Sequence, residues 1–284
     1  MLYNPLGKTG MDVSCVVFGG IINMDEPQAD ADRYVAKAVE AGVNYFDVAP
    51  SYGDAEDKLG LALHPYRNDV FVACKTTNRG ADGAKAELEQ SLKKLHREYF
   101  DVYQLHALSK DEDLDKAFGP GGAMETFLKA KEKGLIRNIG FSAHNEEVAL
   151  RALTLYDFDT VLFPMNWALG ICTGWGDRIS EAVKSRGIGL IGMKSLVRRK
   201  WREGEERVYP KSWCQPIWGN DALGVAAMKY EVLKGAATLV PPGNFEHFSF
   251  MLNHADEAFR APLTEQEWAL LRGEAEQARN ELIF

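Results

Sequence analysis

The sequence lacks three features that would each define a class of protein. No segment approaches the ~18 uncharged apolar residues of a membrane-spanning helix. The four cysteines, Cys15, Cys74, Cys172 and Cys214, are scattered without the spacing of a metal site, so we predict reduced thiols and no metal. Asp and Glu (41) outnumber Lys and Arg (33), and the lack of a long basic run argues against a nucleic-acid partner.

Two further motifs are missing. The first residues have neither the basic nor the apolar region of a secretion signal, so we predict a cytoplasmic protein without a membrane partner. No G-x-G-x-x-G sequence follows the first apolar run, which disfavours a doubly wound dinucleotide-binding sheet. What is present is 46% hydrophobic residues, enough to bury a core, in 284 residues that fit one α/β barrel or two smaller domains.

Short apolar runs alternate with longer segments of helical period. The runs are almost continuously apolar, which is typical of strands in a parallel sheet that helices cover on its outer face. The eight runs are Ser14–Phe18, Asn44–Val48, Val70–Cys74, Phe100–Leu105, Ile136–Phe141, Thr160–Pro164, Gly187–Met193 and Ala237–Val240.

Eight strand-helix units without a linker predict one domain over residues 1–284, an α/β fold of the (β/α)8 TIM-barrel type. Leu2–Val13, with turns at Gly7 and Gly10, is expected to form an N-terminal β-hairpin that plugs the bottom of the barrel. Thr264 is a good N-cap for a last helix that ends near Arg279. Lys194–Trp218 is one long connection after the seventh strand.

Polar residues follow three neighbouring strands. Asp47 ends the second strand, Lys75 the third and His106 the fourth, with Tyr52 five residues after Asp47. In this fold the ends of the strands meet at one mouth, where chemistry takes place. The set suits proton transfer to a carbonyl oxygen. Tyrosine has a pKa of about 10, which an adjacent ammonium such as Lys75 would lower, while Asp47 would hold Lys75 in place.

At these residues the chain resembles the aldo/keto reductase family. The resemblance spans nearly the whole length and lies in several blocks. These are Gly42–Gly53 with Glu56 and Leu59–Gly60, Ser91–Leu95, Tyr99–His106, Lys133–Ser142, and Leu239–Gly243 with Asn253.

The resemblance implies an NAD(P)-dependent oxidoreductase that reduces a carbonyl or oxidises an alcohol, with a catalytic tetrad of Asp47, Tyr52, Lys75 and His106. Tyr52 would be the general acid/base and His106 would position the carbonyl. The resemblance also implies a set of cofactor-binding positions at the mouth. These are Gly19, Gly20, Asp47, Ser142, Asn166, Met193, Lys194, Ser195, Leu196, Gly243, Asn244, Phe245, Glu246 and Asn253.

The chain departs from the family pattern around the nicotinamide. Ala143 follows Ser142 where the family usually has Asn, and Asn166 is the only amide near a sixth-strand position where the family has Gln. Met193 stands where the family has a stacking Tyr, and its soft side chain can pack there instead.

The adenosine end indicates which dinucleotide is preferred. Glu246 follows Gly243 and Asn244, and Ser249 occupies the usual Arg position. An acidic residue accepts a hydrogen bond from a free ribose 2′-hydroxyl, whereas it repels a 2′-phosphate. We therefore predict NAD(P)H with NAD(H) favoured, although Lys194 or the neighbouring Arg198 and Arg199 could reach this site.

The substrate side is predicted to include Tyr52 and His106. Four further aromatic residues near the mouth are His144, Trp167, Trp201 and Trp213. Indole faces suit sugar rings, which makes a small sugar-type carbonyl or alcohol possible. Two alternatives stay open: a redox-neutral enzyme that recycles tightly bound NAD(H), as in epimerisation or oxidative glycoside cleavage, and a non-enzymatic cofactor-sensing subunit. The sequence leaves the direction of the reaction and the oligomeric state open.

Overall fold

Eight parallel strands form one sheet that follows the order of the chain and closes on itself. The structure, a computed structural model, describes all residues, 1–284. The strands are β1 (Tyr3–Pro5), β2 (Asp12–Ser14), β3 (Phe18–Gly19), β4 (Tyr45–Asp47), β5 (Phe71–Thr76), β6 (Phe100–Leu108), β7 (Ile136–Ala143), β8 (Thr160–Pro164), β9 (Gly189–Met193), β10 (Val197–Arg199), β11 (Gln215–Pro216) and β12 (Thr238–Val240). The barrel consists of β3 to β9 and β12, which confirms the predicted fold class.

Helices cover the outer face of the barrel. They are α1 (Gln28–Glu40), α2 (Ala55–Leu63), α3 (Ala81–Lys94), α4 (Asp111–Phe118), α5 (Ala123–Glu132), α6 (Glu146–Leu155), α7 (Trp167–Thr173), α8 (Asp177–Arg186), α9 (Asp221–Leu233), α10 (Phe245–Arg260) and α11 (Glu265–Ala278), with short 3-10 helices at Gly20–Asn23, His64–Tyr66 and Arg279–Glu281. Thr264 caps α11 by accepting from the Glu267 N–H, as its sequence indicated. None of the helices combines the length and apolar character needed to cross a bilayer.

The N-terminal hairpin β1–β2 lies at the bottom of the barrel. Leu6 and Met11 of its turn are buried against residues inside the barrel, including Tyr45 and Val102. Gly7 has φ +55°, and a Cβ there would clash with the backbone nitrogen of Gly189. Only glycine allows this close approach of the hairpin to β9.

The first barrel strand is shorter than predicted. Ser14 belongs to the hairpin, and its N–H donates to Asn44 Oδ1 at 2.7 Å, so the predicted strand Ser14–Phe18 divides into two elements. The barrel closes beside this segment, where the residues before β3 bond to β12. The Val17 N–H donates to the Leu239 carbonyl (2.9 Å), and the Leu239 N–H donates to the Cys15 carbonyl (3.0 Å).

The long connection after β9 is ordered by ion pairs and by the small antiparallel pair β10–β11. Arg199 makes two 2.8 Å bonds to the carboxylate of Glu205 within the connection. Arg198 and Arg202 reach Glu274 and Glu281 in the C-terminal part of the chain, at 2.8 and 2.6 Å. The whole chain thus packs around one barrel. That residues 1–284 form a single domain stays our prediction.

Candidate active site

A buried ion pair forms the floor of the mouth. Asp47 is the last residue of β4, and Lys75 lies next to it in β5. Lys75 Nζ donates to Asp47 Oδ1 and to the Val48 carbonyl, the latter at 3.1 Å. The Lys75 side chain is 0% exposed and that of Asp47 is 5% exposed. Strands fix both charges: Asp47 pairs in register with Ala73, and Lys75 lies two residues further along β5, so its side chain is on the same face as that of Ala73.

Tyr52 lies in the loop above this pair and faces His106. Its ring centroid is 5.2 Å from Lys75 Nζ and 5.7 Å from the His106 ring, which stands nearly perpendicular at 84°. The four residues predicted from the strand ends therefore come together at one place.

Burial and charge oppose each other in setting the pKa values here. Burial raises the pKa of Tyr52, and the positive charge of Lys75 only partly offsets this. The pKa of Tyr52 is thus raised, whereas Lys75 alone was expected to lower it. The Tyr52 hydroxyl is therefore protonated at neutral pH. Burial also acts to lower the pKa of Lys75, but Asp47 and Tyr52 outweigh it and keep the ammonium charged.

A β-bulge directs His106 into the mouth. The pairing of β6 with β7 shifts between Leu105 and Leu108, and Ala107 has φ +54°. The carbonyl of His106 accepts from Arg79 Nη2 at 2.6 Å, and the Ala107 N–H donates to Ser142 Oγ at 2.8 Å. Burial, with the charge of Lys75 adding to it, lowers the pKa of His106 to about 2. The imidazole is therefore neutral.

Several predicted cofactor positions surround a cavity of about 90 Å³ beside Tyr52. Leu162 and Met193 give part of the cavity wall an apolar surface, which suits an uncharged ring. The predicted positions that line it are Gly19, Asp47, Met193, Lys194 and Gly243. The carbonyl of Lys211 lies only 2.7 Å from where a Cβ of Gly243 would be. Ligand pockets usually measure ~300–1,000 Å³, so this cavity by itself holds only a part of a dinucleotide.

Asn166 and Ser195, two polar residues expected beside the nicotinamide, differ in whether their side chains already have hydrogen-bond partners. Asn166 caps α7: its Oδ1 accepts from the Leu169 N–H (3.0 Å), and its Nδ2 donates to the carbonyls of Lys194 (3.0 Å) and Val197 (2.8 Å). That amide is fully engaged by backbone groups. Ser195 Oγ, in contrast, is buried without a partner. Gly20 and Leu196 are buried behind the mouth.

The predicted adenosine-side residues lie at or near the beginning of α10. Asn244 caps this helix, and its Nδ2 donates to Ser212 Oγ at 3.2 Å. Phe245 stacks on Tyr34 with centroids 4.2 Å apart. Glu246, together with Glu26 and Lys211, lines a cavity of about 240 Å³ beside this pair. Asn253 is exposed further along the helix.

Of the predicted substrate-side aromatics in the loops, Trp213 reaches the mouth, whereas His144 packs against Phe284. Trp213 is 64% exposed, and its ring centroid lies 6.2 Å from that of Tyr52. The His144 ring lies 5.7 Å from that of Phe284, the last residue of the chain. Burial, followed by the charge of Lys194, lowers the pKa of His144 to about 4.

The other two tryptophans do not reach the mouth, contrary to our expectation. Trp167 is fully buried in an apolar cluster with Leu223 and Leu271, because α7 turns it outward against α9 and α11. Trp201 donates from Nε1 to the Ser212 carbonyl at 2.8 Å. It lines a separate cavity of about 450 Å³ on the flank of the long connection.

Some residues at the mouth escaped the sequence analysis. Ser51 Oγ lies 3.4 Å from His106 Nδ1. Lys211 crosses the mouth, where its Nζ lies 2.9 Å from the Ile22 carbonyl and 2.5 Å from Glu26 Oε1. No sequence pattern links Lys211 with Glu26, since the two residues are 185 positions apart. Ser51 precedes Tyr52 directly, which was the one available signal.

Fold and site together define a (β/α)8-barrel protein whose mouth brings together Tyr52, Lys75, Asp47 and His106. The aldo/keto reductase family model matches residues 17–213, about two thirds of the chain. The chain belongs to the aldo/keto reductase family, whose members are oxidoreductases that generally use NAD(P)H.

Individual relatives are more distant. An uncharacterized oxidoreductase, YqkF, of Bacillus subtilis is 30% identical over 157 residues, which cover 50% of this chain and 49% of that protein. L-galactose dehydrogenase of Arabidopsis thaliana is 28% identical over 67% of this chain and 64% of its own length. The chain thus spans half to two thirds of these curated relatives. The holo form of an aldo-keto reductase from Bacillus halodurans shares the fold, with a TM-score of 0.74, 22% identity and 96% coverage of both chains.

Proposed function

We propose that this protein is an NAD(P)-dependent oxidoreductase that reduces a small aldehyde or ketone, or oxidises the corresponding alcohol, with Tyr52 as general acid/base. The observation that carries the proposal is the buried Lys75–Asp47 pair directly beneath Tyr52, with the His106 ring 5.7 Å across the mouth. A buried, charged lysine next to a protonated tyrosine is suited to stabilise a phenolate once the proton has left.

Each residue of the tetrad has a distinct role in this proposal. Tyr52 holds a proton on its hydroxyl oxygen and donates it to the carbonyl oxygen as negative charge develops there. Lys75 stabilises the resulting phenolate, and Asp47 keeps Lys75 charged and in position. The neutral His106 imidazole hydrogen-bonds the same carbonyl oxygen and orients it. NAD(P)H, when bound, would supply a hydride for the carbonyl carbon.

The mouth fits a nicotinamide dinucleotide in its composition. Met193 and Leu162 offer an apolar bed, Ser195 Oγ is a buried polar atom without a partner, and Gly19 and Gly243 leave the wall free of side chains. We propose that the nicotinamide lies on Met193. Further contacts would come from the predicted positions Ser142, Lys194, Asn244 and Phe245. Of the other predicted positions, Gly20, Asn166 and Leu196 would support the wall from behind, because they are buried and the Asn166 amide already bonds backbone groups, and Asn253 would have to be reached along α10.

NAD(H) is the preferred form in this proposal. Glu246 and Glu26 both line the cleft at the start of α10, and Lys211, the one cation among its lining residues, is already paired with Glu26. Lys37 lies outside this lining, with its Nζ 5.7 Å from the centroid of the Phe245 ring. This site repels a 2′-phosphate and offers Glu246 to a free 2′-hydroxyl. Titration of the protein with NADH and NADPH tests the preference, and tighter binding of NADPH would contradict it.

The names of relatives support a sugar-type substrate. Besides the L-galactose dehydrogenase, the chain is similar to D-galacturonate reductase of Fragaria ananassa, 26% identical over 72% of this chain. Trp213 at the mouth offers an indole face to such a ring. We propose small polyhydroxylated aldehydes or ketones as the substrate class.

The decisive experiment is NADH oxidation with a panel of aldehydes, ketones and sugars, in the wild type and in Tyr52→Phe. Loss of the acid is expected to lower kcat by about 10²–10⁴-fold. Tyr103→Phe is the matched control, because Tyr103 is buried in β6 with an unpartnered hydroxyl and lies outside the mouth. Full activity in Tyr52→Phe would refute the assignment of the acid.

The closed mouth favours one second candidate, a redox-neutral enzyme that retains its NAD(H). Lys211 reaches across the opening to Ile22 and Glu26, and the cavity beneath is small. The purified protein would then carry dinucleotide and convert substrate without added cofactor. Ultraviolet absorption of the dinucleotide released on denaturation distinguishes the two candidates.

A further inference from the structure

The turn that follows His106 holds a residue in an unfavourable backbone conformation. Ala107 has φ +54°, in the left-handed region, which few residues other than glycine adopt in this chain. Asparagine and aspartate reach this region with the help of hydrogen bonds from their own side chains, but the methyl group of alanine makes none. Such a conformation persists only where neighbouring groups impose it, and positions of this kind cluster at functional sites.

The peptide between His106 and Ala107 is bound at both of its polar atoms. Its carbonyl oxygen accepts from Nη2 of Arg79 at 2.6 Å, and its N–H donates to Ser142 Oγ at 2.8 Å. Arg79 lies in the loop after β5 and Ser142 lies in β7, so the peptide is held from the strand on either side of β6. Because a peptide unit is rigid, these two bonds fix its plane and with it the direction in which the chain leaves His106.

Arg79 is itself held by the beginning of α4. Its Nε donates to Asp113 Oδ1 at 3.1 Å, and its Nη1 donates to the Thr76 carbonyl at 3.3 Å. The other carboxylate oxygen of Asp113 accepts from the Ser109 N–H at 3.2 Å. The Arg79 side chain is only 10% exposed, so water screens its ion pair little. The guanidinium thus uses all three of its nitrogen atoms to join β5, β6 and α4 around one carbonyl.

We propose that Arg79 is a positioning residue of the active site, which binds the His106 carbonyl and holds the turn at Ala107 so that the imidazole stays across the mouth from Tyr52. The inference rests on the proposed function, in which His106 orients the carbonyl oxygen of the substrate. Arginine suits this place, because its planar fork reaches three acceptors at once, whereas a lysine offers a single nitrogen.

The test is a double-mutant cycle between Arg79→Met and His106→Ala, measured as kcat/KM for NADH-dependent reduction of the best carbonyl substrate. Arg79→Met alone should lower kcat/KM by about ten- to a hundredfold, the range for a displaced catalytic group. In His106→Ala, the same substitution should change kcat/KM by less than about twofold, because the residue that Arg79 positions is gone. Equal losses in the two backgrounds would overturn the inference.

Arg151→Met is the matched control on the same helix. Arg151 also binds α4, through Asp111 Oδ1 at 2.7 Å and Asp115 Oδ1 at 2.6 Å, and its bonds do not reach the His106 peptide. This variant should keep the wild-type kcat/KM.

Asp113→Asn provides a second variant in case Arg79→Met does not fold. Asparagine keeps an oxygen for the turn before α4 and removes only the charge that pairs with Arg79. We expect kcat/KM to fall by about two- to tenfold, and again only where His106 is present. An unchanged kcat/KM in this variant would contradict the inference.

Nuclear magnetic resonance adds a readout that needs no turnover. In protein labelled with ¹³C at histidine Cε1, the His106 signal is identified by its absence in His106→Ala. It should shift or broaden in Arg79→Met and stay in place in Arg151→Met, and an unmoved signal in Arg79→Met would overturn the inference. Failure of the wild type to reduce any carbonyl compound with NADH or NADPH would instead refute the proposed function, whereas an additive cycle in an active wild type overturns the inference alone.

Discussion

The two halves of the mouth hold their charges in different ways. The floor is built on strands: Lys75 and Asp47 form one ion pair that is at most 5% exposed. The cover is built on the connection Lys194–Trp218, whose ion pairs are more exposed, such as Arg202–Glu281 with 63% and 29% of the side chains accessible. The ion pair of the floor is therefore desolvated and held by strands, whereas the ion pairs of the cover are more strongly screened by solvent and should contribute less to stability.

Breaking the ion pair of the floor should have the largest effect. Lys75→Met leaves the buried Asp47 carboxyl without its partner, and burial, which already raises the pKa of Asp47, then opposes its ionisation. We expect this to cost about 3–5 kcal/mol of unfolding free energy and most of the activity. Arg202→Met in the cover should cost only about 0–1 kcal/mol. The double variant Asp47→Leu with Lys75→Met should recover stability but not turnover. Urea unfolding and NADH assays measure both quantities, and equal costs in the two halves would contradict this view.

Two tryptophans sharpen the comparison. Trp167 is fully buried in the cluster between α7, α9 and α11, so Trp167→Ala should lower the unfolding free energy by about 3–5 kcal/mol. Trp213 is 64% exposed over the mouth, so Trp213→Ala should change stability by only about 0.5 kcal/mol and instead raise KM. Thermal unfolding and steady-state kinetics together distinguish the two. A destabilised Trp213→Ala would show that the cover is as rigid as the floor.

The pH dependence of stability tests the buried imidazole of the rim. His144 has a pKa of about 4 in the folded protein and about 6.5 when unfolded. As the pH falls from 6.5 to 4, the unfolded chain takes up a proton that the folded chain excludes, so stability falls by up to about 1.4 kcal/mol per pH unit. His144→Gln should lose less stability than the wild type between pH 7 and pH 5. His64→Gln, at an exposed position, should behave like the wild type in the same unfolding experiments.

The smallest effect is expected at the contact that crosses the mouth. Glu26→Gln removes the charge that pairs with Lys211, and it should speed dissociation of the cofactor severalfold while the unfolding free energy changes by less than about 1 kcal/mol. Glu203→Gln, at an exposed residue of the connection without an ion pair, is the control. Stopped-flow fluorescence measures the release rate. An unchanged rate would show that the cover opens independently of this pair.

The floor could be predicted from the sequence because strand ends determine it. Asp47, Lys75 and His106 are polar residues directly after apolar runs, and parallel strands bring such positions to one face of the barrel. The last helix was also predicted, because Thr264 is an N-cap residue directly before Glu265, and α11 begins there and ends at Ala278. The bulge at Ala107 left no signal, because it arises from the pairing of β6 with β7.

The cover could not be predicted, because contacts distant in sequence determine it. The pairing of β10 with β11, and the bonds of Arg198 and Arg202 to the C-terminal part of the chain, join segments that local patterns do not relate. Helix α7 was not predicted either. Trp167 directly follows the sixth apolar run, and that position led us to expect it at the mouth, whereas α7 buries it in the core.

The seam of the barrel lies between β3 and β12 and has few bonds. The Val17 and Leu239 amides form the backbone links described above, and Thr238 Oγ1 adds one side-chain bond to the Ser14 carbonyl at 2.7 Å. Two predicted cofactor positions, Gly19 and Gly243, stand on opposite sides of this seam. A dinucleotide that spans them would tie the barrel together where it closes. Hydrogen-deuterium exchange of the Val17 and Leu239 amides would then slow on cofactor binding and report occupancy without any turnover.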